Sequence, residues 1–222
     1  MVFRDLYFEL PAGRALLLNG ANGSGKSSLL KIISGLLSAQ GGNIISHNKD
    51  ISQNILDDKD WISRNICYLA HKNGLKLEMT VAENLKFWAN MEHHANMGHL
   101  EEDIRTEAIK IGLEHCLDLP VYYLSSGQAR RAALMRVLCH PGRIWLLDEP
   151  TVGLDKSGVK LLSGLMNDHL ARGGSILAAT HIQLGIDADK TTMLNMSDFA
   201  FSTATSPEYG PPKYNPKKSL LC

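Results

Sequence analysis

Apolar residues gather along the chain in short unbroken runs, at 15–18, 144–147 and 176–179, separated by stretches where they recur every three or four positions. Unbroken runs of that length mark strands buried on both faces, and the wider spacing marks amphipathic helices. The pattern predicts strands over residues 14–19, 44–45, 66–70, 143–147 and 175–179. Helices are predicted over 27–37, from Val81 towards Asn90, from Ser125 to about Cys139 with Pro141 as a stop, and over 156–171. Thr80 with Glu83 three residues later is a capping box, and Ser125 is a helix cap. Gly41-Gly42 marks a turn. Strands alternating with helices predict an α/β fold, a largely parallel sheet flanked by helices. The charged, helix-prone stretch 92–117 is expected to lie in a small helical lobe, spanning about 72–139, inserted in a single domain of residues 1–202. The last residues, 203–222, hold Pro207, Pro211, Pro212 and Pro216 without periodicity and are expected to form a disordered tail.

Composition narrows the classes. The 222 residues are 44 % hydrophobic and 21 % charged, as in a globular chain with a real core. Lys plus Arg (23) equals Asp plus Glu (23), so no basic excess marks a nucleic-acid partner. The four cysteines, Cys67, Cys116, Cys139 and Cys222, stand far apart without a CxxC or zinc spacing, and read as thiols of a reducing compartment. No apolar stretch approaches the ~18 residues that span a bilayer. The N-terminus carries Asp5 and Glu9 and lacks the apolar centre of a signal peptide.

Candidate chemistry begins at Gly20-Ala21-Asn22-Gly23-Ser24-Gly25-Lys26-Ser27, which fits G-x-x-x-x-G-K-S between a predicted strand and a predicted helix. Such glycines let backbone N–H groups wrap a phosphate at the positive end of a helix that continues through Ser28. Lys26 would reach the β- and γ-phosphates of ATP, and the Ser27 hydroxyl would ligate Mg²⁺. A second signal is the apolar run 144–147 ending in Asp148 and Glu149. Carboxylates avoid interiors unless they have partners, so two at a buried strand's end call for a reason. Beside a phosphate loop, Asp148 is expected in the Mg²⁺ shell and Glu149 as general base for the attacking water. Between these motifs, Leu124-Ser125-Ser126-Gly127-Gln128 reads as a serine-capped helix start with N–H groups free to meet an anion.

The order phosphate loop, LSSGQ, LLDEP, Gly153-Leu154-Asp155 and His181 resembles the ABC ATPases, over roughly residues 6–194. That resemblance implies a P-loop NTPase core of ABC type. It also implies two copies pairing head to tail, with each ATP held between one copy's phosphate loop and the other's signature helix. By position, Ser125, Ser126, Gly127 and Gln128 form that signature, with Ser125 and Gly127 reaching the γ-phosphate in trans. Asp155 would couple the two sites across the dimer, and His181 would hold the attacking water with Glu149. Lys26, Glu149 and His181 are then the catalytic set. Three positions depart from the family pattern. Ser126 replaces a glycine of the usual LSGGQ, and His71 stands where many members place a glutamine that helps ligate Mg²⁺. The aromatic that stacks on adenine usually lies upstream of the segment matching residues 6–10. Here Phe3 stands in for it, or the first strand is absent.

Ala70-His71-Lys72-Asn73-Gly74-Leu75-Lys76, running on through Glu83-Asn84-Leu85 to Phe87, is similar to the G-H-x-x-G-x-K segment of the ATPase subunit of the cytochrome c maturation haem exporter. Gly127 to Arg136 matches the same subfamily. The resemblance implies an ATPase on the cytoplasmic face of a bacterial inner membrane, or the equivalent organellar face, docked on integral-membrane subunits of that system. No direct haem ligand is identified: His93, His94 and His99, near Met91 and Met97, read as a solvated face. A rival reading keeps the ATPase and changes the cargo. A soluble DNA-repair relative would need a long coiled-coil insertion between His71 and Leu124, where no such length exists.

Overall fold

A computed structural model describes residues 2–48, 51–91 and 100–200. Strand β1 (Ala15–Asn19) runs through a glycine-rich turn into helix α1 (Lys26–Ile33). A hairpin, β2 (Ile45–Asn48) with β3 (Ile51–Asn54), leads to α2 (Lys59–Asn65) and β4 (Ile66–Leu69). Helices α3 (Val81–Met91), α4 (Leu100–Lys110) and α5 (Ser126–Leu138) follow, then β5 (Ile144–Asp148), α6 (Lys156–Ala171), β6 (Ser175–Ala179) and β7 (Thr191–Asn195).

Five strands make one sheet in the order β4-β5-β6-β1-β7, every neighbouring pair parallel. Parallel strands need crossovers; helices supply them except between β6 and β7, where a loop ending in one 3-10 turn connects the strands, and helices cover both faces of the sheet. Alternation along each strand divides the core in two. Trp145 and Leu147 of β5 pack with Leu134 and Val137 of α5 and with Leu162, Met166 and Leu170 of α6. Leu146, between them, packs on the other face with Leu29, Leu30 and Ile33 of α1 and Ile62 of α2. A third cluster joins Val81 and Leu85 of α3, Ile104 and Ala108 of α4, and Ala132 and Met135 of α5. Helix α5 therefore buries one face in the sheet core and another among the helices. The carboxyl ends of β1, β4, β5 and β6 open at one edge, where ligands bind in parallel α/β sheets.

Several elements differ from expectation. Helix α1 stops at Ile33, not Leu37, because Gly35 takes a left-handed φ of 73° and turns the chain out, leaving Leu36 exposed. Strand β3, helix α2 and strand β7 had no expectation. β7 reads Thr-Thr-Met-Leu-Asn and pairs on one side only, with β1, so its strand character comes from that distant partner. α2 is started by Asp58, whose carboxylate accepts the Trp61 N–H at 2.8 Å. The Thr80–Glu83 capping box forms as read, with both reciprocal bonds made. Residues 203–222 and His93, His94, Met97 and His99 lie outside the described residues.

Candidate nucleotide site

The turn after β1 is shaped by glycine at two places. Gly20 has φ 142°, and a Cβ there would stand 2.7 Å from Ser24 Oγ. Gly25 has φ 99°, and a Cβ there would meet the Phe3 ring at 2.6 Å. Only glycine holds both positions. Lys26 opens α1 with its side chain curled back over the turn, its Nζ donating to the Gly20 carbonyl at 2.6 Å and the Ala21 carbonyl at 3.1 Å. The ammonium is thus buried in the mouth of the loop. Ser24 Oγ is also buried and has no hydrogen-bond partner there. A buried hydroxyl left unpaired is costly, so the turn is not at rest in this form. These features fit a phosphate chain.

Beside the loop, both oxygens of Asp148 accept hydrogen bonds: Oδ1 from the Ser27 hydroxyl at 3.0 Å and Oδ2 from the Tyr68 hydroxyl at 3.4 Å. Burial, then the Asp148 carboxylate, pushes the Tyr68 hydroxyl far above its ordinary pKa, so it stays a donor. Among the described residues no three His, Cys, Asp or Glu side chains are grouped to hold a metal ion. The Ser27 hydroxyl and a single carboxylate are instead the donor set suited to a Mg²⁺ that takes its other ligands from phosphates and water.

Glu149 follows with a left-handed φ of 46°, uncommon for a residue with a side chain. Its N–H donates to the Ala179 carbonyl at 2.9 Å, and its Oε1 lies 3.4 Å from His181 Nε2. Lys26, Ser27, Ser28, Asp148, Glu149 and His181 line one cavity of about 510 Å³, with Asn22, Gly23, Gly25 and His71 at its wall. Its volume is in the range of small-ligand sites. The arrangement can grip an anion, hold a cation and take a proton from water, all at one edge of the sheet. Phe3 does not line the cavity; its ring packs on Gly25 and the core margin, and Val2 faces the cavity instead.

The signature residues lie apart from that cavity. Ser125 and Gln128 cap α5 reciprocally, the Gln128 N–H donating to Ser125 Oγ at 3.2 Å and the Ser125 N–H to Gln128 Oε1 at 2.9 Å. Ser125 and Ser126 are exposed. Gly127 packs so closely that a Cβ would come 3.3 Å from the Gly153 carbonyl. Asp155 caps α6 through the Gly158 N–H at 2.8 Å and lies 3.4 Å from Arg131. The Gly158 and Ser157 hydrogen bonds hold its carboxyl below the usual range.

Two residues near the site had no individual role in the reading of the chain. Tyr68 is one. Arg130 is the other, only 2 % exposed and hydrogen-bonded to the carbonyls of Ala70, Asp148 and Glu149. Its place on the stripe Arg130, Ala133, Leu134, Val137 was the available signal, since that spacing points it inward.

The family model described as ABC transporter matches residues 3–152. The chain belongs to the ABC transporter family. It is 44 % identical over 187 residues to a protein of Bradyrhizobium diazoefficiens named cytochrome c biogenesis ATP-binding export protein CcmA, covering 84 % of this chain and 88 % of that one. The Rhizobium etli protein of that name is 42 % identical over 201 residues, with coverage of 90 % and 89 %. Among solved structures, an ATP-binding subunit of an ABC transporter is 28 % identical with a TM-score of 0.72, covering 82 % of this chain and 73 % of that one. A Pyrococcus furiosus structure, 21 % identical with a TM-score of 0.74 and coverage of 90 % and 92 %, shares the fold. The chain is thus an ABC-type ATP-binding protein, an ATPase whose hydrolysis is coupled to transport. Among the described residues no helix is long and apolar enough to cross a membrane.

Proposed function

We propose that this chain is the ATP-hydrolysing subunit of an ABC exporter serving c-type cytochrome biogenesis. It would act from the cytoplasmic face of a bacterial inner membrane, or the equivalent organellar face, on integral-membrane partners of that system, with haem export or delivery as the work done. Within the domain of residues 1–202, a helical lobe over about 72–139 carries the signature helix. The observation that carries the reading is the gathering of Lys26, Ser27, Asp148, Glu149 and His181 around one cavity.

In this reading the loop from Gly20 to Ser28 and the Lys26 ammonium bind the β- and γ-phosphates of ATP. Ser27 and Asp148 hold Mg²⁺, which neutralises phosphate charge when bound. Glu149 accepts a proton from water as the water oxygen bonds to the γ-phosphorus and the bond to the ADP oxygen breaks; His181 orients that water against Glu149. A placed general base contributes about 10²- to 10⁴-fold. Ser125 and Gly127 of a second copy complete the phosphate shell, and Asp155 lies where the two copies would meet.

The test is recovery of tagged Glu149→Gln chain with ATP from detergent-solubilised native membranes. Co-purification of the membrane subunits of cytochrome c maturation is expected. A different permease would overturn the assignment of cargo, and absence of any membrane protein would overturn the transporter role.

A further inference from the structure

Arg130 lies in the second turn of α5, buried to 2 % exposure. Its guanidinium is spread over two loops. Nη1 donates to the Ala70 carbonyl at 3.0 Å, the His71 carbonyl at 3.4 Å and Asn73 Oδ1 at 3.1 Å. Nη2 donates to the Asp148 carbonyl at 3.2 Å and the Glu149 carbonyl at 2.7 Å, and Nε to the Pro150 carbonyl at 3.2 Å. A buried cation is expensive unless its donors are satisfied, and here the fork is satisfied only because both loops turn their oxygens towards it. The shortest of these bonds reaches Glu149, the residue with the left-handed φ of 46°. Left-handed backbone at a residue with a side chain persists only where its surroundings over-determine it. The Ala179 carbonyl fixes the Glu149 N–H, and the Glu149 C=O accepts from Arg130 at 2.7 Å and from the Val152 N–H at 3.2 Å, so both sides of the strained residue are held, with Arg130 the shorter of the two donors.

We propose that Arg130 is a positioning residue for ATP hydrolysis: one guanidinium holds Glu149 in its strained, cavity-facing conformation and makes that hold depend on the docking of the loop 70–73. That loop carries His71 to the cavity wall and leads towards α3, while Arg130 itself rides on the helix that Ser125 caps. Movement of the helices relative to the sheet is therefore felt at the base without any change in the phosphate loop. Lysine would keep the charge but lose the planar fork, since one ammonium cannot span both sets of oxygens.

The inference rests on Glu149 acting as the base. The experiment compares the full chain with Arg130→Lys and Asn73→Ala, measuring ATP affinity, turnover in the assembled transporter, melting temperature and amide hydrogen exchange. Arg130→Lys should keep ATP affinity within about threefold and lower kcat about 10- to 100-fold, as expected of a displaced catalytic group. Exchange should rise together in 70–74 and 148–152, and not elsewhere. Parent-like turnover and exchange would overturn the proposal, as would affinity, turnover and global protection falling in step. If Arg130→Lys fails to fold, Asn73→Ala decides. It removes one acceptor from the far loop, and should lower kcat about two- to fivefold while raising exchange at 148–152, which it does not touch. Unchanged exchange there would overturn the coupling. Exchange needs no turnover, so a parent chain without ATPase activity fails the reading of Glu149 separately from this one.

Discussion

The phosphate loop and the signature segment are both glycine-containing starts of helices, yet they end in opposite states. At the loop the key side chains have internal partners and Ser24 Oγ has none: Lys26 is clasped by two carbonyls, and Ser27 and Tyr68 hold Asp148. At the signature, Ser125 and Gln128 satisfy each other in a cap, and Ser125 and Ser126 face outward without joining the cavity. One site is closed on itself around a space for an anion. The other is a prepared surface. Within one copy the two do not line a single pocket, so the proposed sandwich would need the outward surface of one chain to meet the cavity of another.

The largest way to break this contrast is at the cavity. Glu149→Gln should abolish proton acceptance and lower turnover by about 10²- to 10⁴-fold with ATP affinity preserved, read by phosphate release beside equilibrium binding. Lys26→Ala removes the clasped ammonium and should weaken ATP binding about 10- to 100-fold, the worth of a charged hydrogen bond. Equal affinity in that variant would show that the loop does not grip phosphate. On the signature side, Ser125→Ala should leave ATP binding to a single copy unchanged and weaken ATP-driven pairing about fivefold. A parallel loss in single-copy binding would place the serine in the wrong site. Tyr68→Phe sharpens the cavity side further, since Asp148 keeps only Ser27. The Mg²⁺ concentration for half-maximal turnover should rise about twofold.

The smallest effect is a control away from both regions. His169 stacks on Trp145 with ring centroids 3.7 Å apart and donates to the Arg143 carbonyl at 3.0 Å. Burial pulls its pKa below the ordinary 6.5. Between those two values the unfolded chain binds more protons than the folded one. Stability should therefore fall as pH drops below about 6.5, and level off beneath the folded pKa. His169→Gln should flatten that slope in thermal unfolding while leaving ATP binding at neutral pH unchanged.

What could be read from the chain was what local chemistry determines. The phosphate loop, the Asp148–Glu149 pair at a strand end and the Ser125 cap each depend on residues within a few positions, and each forms where expected. The meeting of Glu149 and His181 was legible only through the family pattern, because β5 and β6 must pair before the two side chains approach. Strand β7 escaped notice because its polar residues become a strand only against β1. For Arg130 the inward-facing stripe on its helix was legible, but its acceptors lie 18 to 60 residues away, and no local pattern announces them. The adenine-stacking position has two readings in the sequence, Phe3 or an absent first strand, and the Phe3 ring packs against Gly25 and the core margin.

The contrast between a closed cavity and an outward signature is tested most directly by the mass of the Glu149→Gln chain in solution, measured by light scattering with and without saturating Mg²⁺ and ATP. A single copy is expected without nucleotide and a dimer with ATP, the dimer being abolished by adding Lys26→Ala. A single copy at saturating ATP would contradict it.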